Sequence, residues 1–525
     1  MNIMDHLPAL VIAIPLLGAF LTPLISKIND KLRNIFVIII AGLTCALVFL
    51  LANEVFTNGI QTYVFGGAYN SGDTVVRIFF EVDGLSAFMA IIGCILPLVA
   101  VIYSWAFMKE HTGLDKYYTL ILLMTTGMLG MMLTGDLFNF FVFLEITSIS
   151  SAALVAFYTD KGKAVAAGFK YIVISSIGAL FVLLAIALFY GQYDALNMAV
   201  IANSMQYSFL DKIALVLLIA ALGMKSGIVP MHMWLPDAYG RAPASVTLAL
   251  IPTTLASLYG VLRVTFTIYG NNLITDNPLK QIGQIEIHLN VVLAIFLVGL
   301  ALITIVVGVL MALKQTDLKR MISYAAVAEI GYMLLAVGAA LSVLKTEVGS
   351  MALTGGIFHI INDALDVGLL FLVAGAIYYA TKETSLNKLG GLARNMKYTT
   401  IFFLIGLLAV SGIPPMNGFA SKLLIYESVY HVNPILSIVA ILCSILMLAV
   451  FVKVFHSIFL GPKQPSFEKV KEVPKSMLIG MAIIAGIIIF FGLFPHVVVN
   501  NIVTPAVDAL TNSGMYINAI LGGGV

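Results

Sequence analysis

Charge is scarce in this sequence. Asp, Glu, Lys and Arg make up 10% of its 525 residues and hydrophobic residues 61%, whereas an ordinary soluble domain carries about 25% charged residues. The 28 basic and 26 acidic residues cannot cover the surface of a soluble chain this long. A soluble enzyme and a disordered chain are therefore excluded. A net charge of +2 leaves no basic face, which excludes a nucleic-acid binder. Cysteine is nearly absent as well. Cys45, Cys94 and Cys443 lie far apart inside apolar runs and read as small apolar fillers. Without a CxxC pair, a Cys/His cluster or a haem-attachment motif, a self-contained iron–sulfur, haem c or zinc centre is not expected. No P-loop (GxxxxGK followed by Ser or Thr) occurs either. The chain is expected to hold no cofactor and no metal, so its driving force must come from an ion gradient or a partner subunit.

Long apolar runs are what the sequence has in abundance. A helix crossing the bilayer needs about 20 apolar residues. Reading runs of that length predicts an all-α polytopic membrane protein with fourteen spans. Their limits are 7–26, 33–53, 83–107, 116–134, 136–157, 164–190, 210–233, 243–269, 289–313, 321–343, 350–380, 398–430, 434–460 and 475–498. The first run lacks a basic leading region and contains Pro8 and Pro15, so it is read as a span and not as a cleaved signal peptide. Loops after odd-numbered spans hold 19 Lys/Arg and loops after even-numbered spans hold 4. That asymmetry predicts odd loops in the cytoplasm and both termini outside a cell membrane. In the loop after span 2, alternation at Thr62–Phe65 and Val75–Phe80 around a Gly/Asn/Ser/Asp turn predicts an external hairpin.

Six ionisable residues fall inside these spans: Glu145, Lys225, Glu329, Asp363, Asp366 and Lys422. A charge in hydrocarbon is costly and normally faces a partner or a wet cavity. One such residue could be a strut between two helices. Six, four acidic and two basic, point to a hydrated conducting interior. Pro230 follows Lys225, and Pro414 and Pro415 precede Lys422. Proline removes a backbone donor, and a broken helix in the bilayer is tolerated where it is buried in protein or lines a cavity. Spans 7 and 12 are therefore both expected to be interrupted beside a lysine, and paired interruptions mark an ion path at a repeat interface. The breaks are five spans apart, as are Glu145 and Glu329. This spacing predicts two five-helix repeats, spans 4–8 and 9–13, the second inverted. The predicted segments are 1–114, 115–270, 271–462 and 463–525. A lysine in a dry site tends to lose its proton, and a nearby carboxylate opposes this. Alternating lysines and carboxylates joined by water can thus pass protons along the membrane midplane. The carbonyls freed at the breaks offer ligands for a cation such as Na+ instead.

Further candidates flank this set. His232 and Asp237 border the span-7 break and serve either in gating or in capping a loop. His359 is a candidate bridge between the acidic groups. Lys453 and His456 lie about one turn apart on span 13 and form either an exit to the cytoplasm or a pair reaching for the interface. Lys170 and Arg263 are expected to hold spans 6 and 8 by ion pairing, and Asp136 to cap span 5.

The segments VDGLSAF (82–88), DLFNFFVFLE (136–145), GFKYIVISS (168–176), KSGIVPMHMWLPDAYGRAPASV (225–246), ALKQTDLKRMISYAAVAEIGYM (312–333) and SGIPPMNGFASK (411–422) carry a resemblance over nearly the whole chain. The sequence resembles the antiporter-like large subunits shared by Mrp-type cation/proton antiporters, respiratory complex I and membrane-bound nickel–iron hydrogenase complexes. The resemblance implies fourteen helices with two inverted repeats. It also implies transport of H+ and/or Na+, with Glu145 and Lys225 acting as a pair and Lys422 as the span-12 base. Partners would be other membrane subunits, including further antiporter-like ones, with a peripheral redox arm in the respiratory hosts. Electron transfer would then belong to those partners. No counterpart of the lateral helix of one complex I subunit is expected after span 14.

The departures from the family pattern are as informative. Ala249 and Leu255 stand in span 8 where a His and a Lys are expected. Glu329 stands where span 10 often has His, and Asp363 and Asp366 stand where span 11 commonly has His and Lys. Two readings follow: an ion-translocating subunit in which water and acids replace the missing bases, or a structural and coupling subunit that has lost end-to-end proton transport.

Overall fold

The computed structural model describes residues 3–65, 78–270, 273, 280–282 and 285–522. Among these, thirteen helices are long and apolar enough to cross a membrane, from Met4–Ser26 to Lys475–Leu493. Span 12 is not among the thirteen. It is divided into Lys397–Val410 and Asn417–Val432, each shorter than the roughly 20 residues a crossing requires. The chain is an all-α polytopic membrane protein, as its composition predicts.

Burial sorts the spans into an inner set and a rim. The apolar windows of span 8 (Ala244–Ile268) and span 11 (Glu347–Thr381) are entirely buried, and that of span 10 (Leu318–Ser342) is 94% buried. Span 6 (Gly162–Tyr193), span 9 (Leu289–Lys314), span 13 (Pro434–Leu460) and spans 1, 2 and 14 bury at most 39%, so these meet lipid or partners. Between apolar helices in lipid, close packing replaces the hydrophobic effect, and small residues permit it. Span 10 shows this directly. A side chain on Gly331 would sit 2.8 Å from Ile305 N, and one on Gly308 would sit 2.6 Å from Ala328 N. This close approach of spans 9 and 10 fixes the rotation that turns Glu329 inward.

The hairpin after span 2 is present with shifted strands. Gln61–Val64 pairs antiparallel with Phe79–Val82, Gln61 opposite Val82. The predicted strand Val75–Phe80 falls partly outside the described residues. A second short pair, Lys280–Ile282 with Ile285–Ile287, follows span 8; strands of three residues are too short for a periodic signal. After span 14, helix Ser513–Leu521 packs against the short helix Met198–Ser204, and helix Thr504–Thr511 folds back on span 3, where the Pro505 carbonyl fills the space a side chain on Gly84 would need. Two of the cysteines that stand far apart in sequence meet here: Cys45 and Cys94 sulfurs are 3.2 Å apart, both thiols free.

One buried ion pair clamps the hairpin end of the bundle. Arg263, where span 8 passes from α- into π-helix, donates through both terminal nitrogens to the Asp83 carboxylate. It also donates to Ser86 Oγ at 2.8 Å and Tyr259 OH at 2.9 Å, and its guanidinium lies 4.8 Å from the Tyr516 ring centre. Asp83 also caps span 3 through Ser86 N. The expected anchoring role of Arg263 is thus realised through span 3. Glu81 lies beside this pair, fully buried, and neither carboxylate oxygen has a hydrogen-bond partner within the chain. Burial drives its pKa well above the usual carboxylate range, Arg263 opposing and Asp83 adding to the rise.

The clamp can be tested from both of its acids. Asp83→Ala leaves a guanidinium buried without a counter-charge and costs about 3–5 kcal/mol, read as a lower melting temperature in detergent and a lower assembly yield. Glu81 binds its proton more tightly folded than unfolded, so its contribution to stability falls as pH rises above the ordinary glutamate range. Glu81→Gln removes that loss, so its advantage over the parent grows between about pH 5 and about pH 8; an advantage that shrinks with pH contradicts the assignment.

Candidate ion-translocation site

Both predicted helix breaks are present. Span 7 runs as Phe209–Ser226, reverses at Gly227 (φ +83°), forms a 3-10 turn at Met231–Trp234 and resumes as Leu235–Arg241. Span 12 ends its first half at Val410 and restarts at Asn417. Each interruption contains one cis X–Pro bond, Val229–Pro230 and Pro414–Pro415. The polar backbone at the breaks is largely claimed by the protein. Trp234 Nε1 donates to Met224 O at 2.8 Å, and Val229 N donates to Thr304 Oγ1 of span 9 at 3.2 Å. Val410 O accepts from Lys422 Nζ at 2.8 Å. These carbonyls already have donors, which weakens the case for them as cation ligands. Among the described residues no group of three or more His, Cys, Asp or Glu could hold a metal ion.

The second half gathers its charges around Glu329. Glu329 Oε1 accepts from Lys422 Nζ at 2.9 Å, and Oε2 lies 2.9 Å from His359 Nε2. All three side chains are almost wholly buried. His359 Nδ1 lies 3.0 Å from Ser421 Oγ, which accepts from Asn362 Nδ2 at 3.0 Å. A carboxylate beside Nε2 selects the tautomer with its proton there, so Ser421 donates to Nδ1. Asn362 and Asn417 bond to each other across spans 11 and 12. The Lys422 ammonium also sits 4.7 Å from the Tyr332 ring centre. Asp363 and Asp366, one turn apart on span 11, are buried; Asp363 Oδ1 and both Asp366 oxygens have no partner within the chain. Gly418 is required here, because a side chain on it would sit 3.2 Å from Asp366 Oδ2 and collide with the Ala409 carbonyl.

The first half is leaner. Lys225 Nζ donates to Ser148 Oγ at 2.5 Å, and Ser148 donates to Leu144 O. Glu145 lies one turn from Ser148 on span 5 (Leu137–Val155), half-buried, with Oε1 unpartnered within the chain. Glu145 and Lys225 thus approach each other without touching, and the contact expected between them is taken by a serine. Gly178 of span 6 leaves room for the lysine stem, its Cβ position lying 3.6 Å from Lys225 Cε.

The remaining candidates divide. Asp237 is held by Lys170 at 2.6 Å and Arg320 at 3.5 Å, which ties the end of span 7 to spans 6 and 10. His232 sits at the break with its ring 6.3 Å from that of Tyr324 and its Nδ1 unpartnered. Lys453 and His456 face outward on span 13, away from the buried charges, so neither lines the interior of this chain. The helical period puts both on the rim face, beside exposed Val452 and Leu460.

The region holding both breaks and the six candidate intramembrane charges, residues 134–448, matches the family described as NADH:quinone oxidoreductase/Mrp antiporter, transmembrane, over more than half of the chain. The chain belongs to this family. Residues 69–118 match the N-terminal family of complex I chain 5. NADH-quinone oxidoreductase subunit N of Desulforudis audaxviator is 30% identical over 95% of this chain and 98% of its own length. A Na(+)/H(+) antiporter subunit of Bacillus subtilis is 29% identical over 99% of this chain and its own full length. Among solved structures, a chain of the archaeal membrane-bound sulfane sulfur reductase superposes with a TM-score of 0.85 at 28% identity, covering 98% of this chain and 99% of that one. A chain of the Mrp complex from Dietzia sp. also gives 0.85, at 23% identity, covering 99% and 100%; at that identity the likeness concerns the fold.

Within this antiporter-like fold, several polar residues complete the site that sequence alone does not single out: Ser148, Asn362, Asn417, Ser421 and Tyr332. Ser148 and Tyr332 stand three residues after Glu145 and Glu329, a helical spacing that points to them; for Asn362, Asn417 and Ser421 no such spacing from Asp363 or Lys422 exists. The two lysines are predicted to differ in structural weight. Lys422→Met strands the Glu329 carboxylate and costs about 3–5 kcal/mol, whereas Lys225→Met loses one hydrogen bond, about 1 kcal/mol. Thermal melts of the purified complex carrying each variant measure this; equal losses contradict the asymmetry.

Proposed function

We propose that this chain is an ion-translocating, antiporter-like subunit of a larger membrane complex of the respiratory or Mrp type. The observation that carries this reading is the Lys422–Glu329–His359 network at one helix break with Lys225–Ser148–Glu145 at the other. A buried charge network costs stability that apolar packing would not, so its presence beside both interruptions favours work on an ion over mere support. The relatives named above are antiporter and oxidoreductase subunits, which supports other membrane subunits, further antiporter-like chains among them, as partners. We assign H+ as the ion carried along the midplane, since the groups present exchange protons and Met224 O and Val410 O, at the two breaks, already accept hydrogen bonds. Na+ is the exchanged cation in the Mrp-type alternative.

The four segments 1–114, 115–270, 271–462 and 463–525, with inverted repeats in spans 4–8 and 9–13, serve this reading. So does an orientation with odd loops in the cytoplasm and both termini outside. On the odd-loop face a cavity of about 120 Å3 is lined by Lys161, Arg241, Asp317 and Lys319 among others, a polar vestibule that suits this reading. One observation favours a second reading, a coupling subunit without through-transport: span 8 has neither His nor Lys between Ala244 and Leu262.

One experiment separates the two. Lys225→Ala and Glu329→Gln are introduced in the native host, and ΔpH is followed in energised everted vesicles with and without Na+. Translocation should fall by about 100-fold while the complex, checked on native gels, still assembles. Undiminished translocation in both variants leaves the coupling reading in its place.

A further inference from the structure

The two clusters of ionisable groups lie on either side of span 8. That helix is buried along its whole length and carries no carboxylate, His, Lys or Arg from Ala244 to Leu262. A proton moving from the Lys225 side to the Asp363 side must therefore use hydroxyls and water there. Most span-8 hydroxyls are committed elsewhere. Ser245 pairs with Tyr117 at the helix start, and Thr247 donates to backbone carbonyls. Thr253 and Ser257 turn back on their own helix, and Tyr259 donates to Met132 O and serves the Arg263 clamp. At mid-depth, Thr254 differs in also reaching a side chain beyond its helix: its Oγ1 is 2.7 Å from Tyr239 OH, and both hydroxyls have Leu250 O within reach, at 3.4 Å from Thr254 and 3.3 Å from Tyr239.

Tyr239 stands on the last segment of the broken span 7, buried, at the junction of the halves. Its ring meets Phe371 of span 11 edge-on at 5.6 Å and Trp234 at 6.4 Å, and Trp234 meets Tyr171 of span 6 at 4.9 Å. The packing of spans 8 and 11 sets the depth. Ala244 packs on Gly375 and Leu248 on Gly368, while Leu258 and Leu262 share a small cavity with Ile360 and Gly356. The helices are antiparallel, and this register brings Asp363 level with Leu255, beside Thr254. Asp363 Oδ1 has no partner within the chain and is open to a proton.

We propose that Tyr239 and Thr254 form the proton link between the two halves, standing in for a charged side chain on span 8. The proposal rests on the translocation reading above. A proton delivered through water to the Tyr239 oxygen releases the phenolic proton to Thr254 Oγ1. Thr254 in turn releases its own proton, through water, to the Asp363 carboxylate. Each oxygen gains one O–H bond and breaks one, no charge stays on span 8, and rotation of the two hydroxyls resets the pair. A neutral relay avoids the cost of an ion at mid-depth.

The test uses the complete complex in respiring everted vesicles of the native host, with ΔpH followed by a fluorescent amine and assembly checked on native gels. Thr254→Val keeps the shape and removes the hydroxyl; Thr254→Ser restores it. Tyr239→Phe and Thr254→Val should each lower translocation by about 100-fold, the double variant no further, and Thr254→Ser should stay within about twofold of the parent. Loss in Thr254→Ser equal to that in Thr254→Val assigns the pair to packing and overturns the proposal, as does parental translocation in both hydroxyl deletions. If Tyr239→Phe fails to assemble, the two Thr254 variants decide. Lys225→Ala is measured alongside. If it is inactive while the hydroxyl deletions are active, the link alone falls; if it too is active, the translocation reading falls with it.

Discussion

A carboxylate cannot stay ionised in hydrocarbon without a counter-charge, and Glu329 meets that constraint by engaging Lys422 through one oxygen and His359 through the other. Much of the second half follows from this. Lys422 reaches Glu329 because span 12 is interrupted, and the interruption leaves Val410 O free to accept the lysine's other bond. His359 is oriented by Ser421, and Ser421 by Asn362. Spans 10, 11 and 12 are therefore joined by polar bonds at the depth where apolar packing alone would leave their rotation loosely specified.

The two halves solve the same problem differently. In the first, Lys225 meets a neutral hydroxyl and Glu145 stands a turn away with one oxygen unpartnered. In the second, a lysine, a histidine and a glutamate saturate one another while two aspartates lack donors from the chain. A saturated network resists change in charge. A network with open acceptors takes up protons or water readily. Glu145, Asp363 and Asp366 are the members of the site with oxygens left open, and the Glu329 triad is its most fully bonded part.

The interior network sits between two clamps. At the hairpin end, Arg263 and Asp83 lock span 8 to span 3, with Tyr516 of the C-terminal helices stacked on the guanidinium. At the opposite end, Asp237 bridges Lys170 and Arg320. Of the rim spans, span 6 shares in the second clamp through Lys170. Lys453 and His456, on that rim, belong with the surface that meets lipid or a neighbouring subunit.

Thirteen of the spans, the two breaks and the six charges within the helices were legible in the sequence, because the bilayer imposes a length on apolar runs and a penalty on charges that no tertiary detail alters. Pro230, Pro414 and Pro415 announced the interruptions by chemistry local to the chain. Arg263 announced an anchor but not that Asp83, 180 residues away, would receive it. Contacts between helices could not be read, since they depend on rotation and register set by glycines such as Gly331 and Gly418 against neighbouring backbones. Hence the fold alone reveals that Ser148, not Glu145, receives Lys225, that His359 is central, and that Lys453 and His456 point outward. Composition and local chemistry dictate which groups must be buried; the packing of the helices dictates which partner each one finds there.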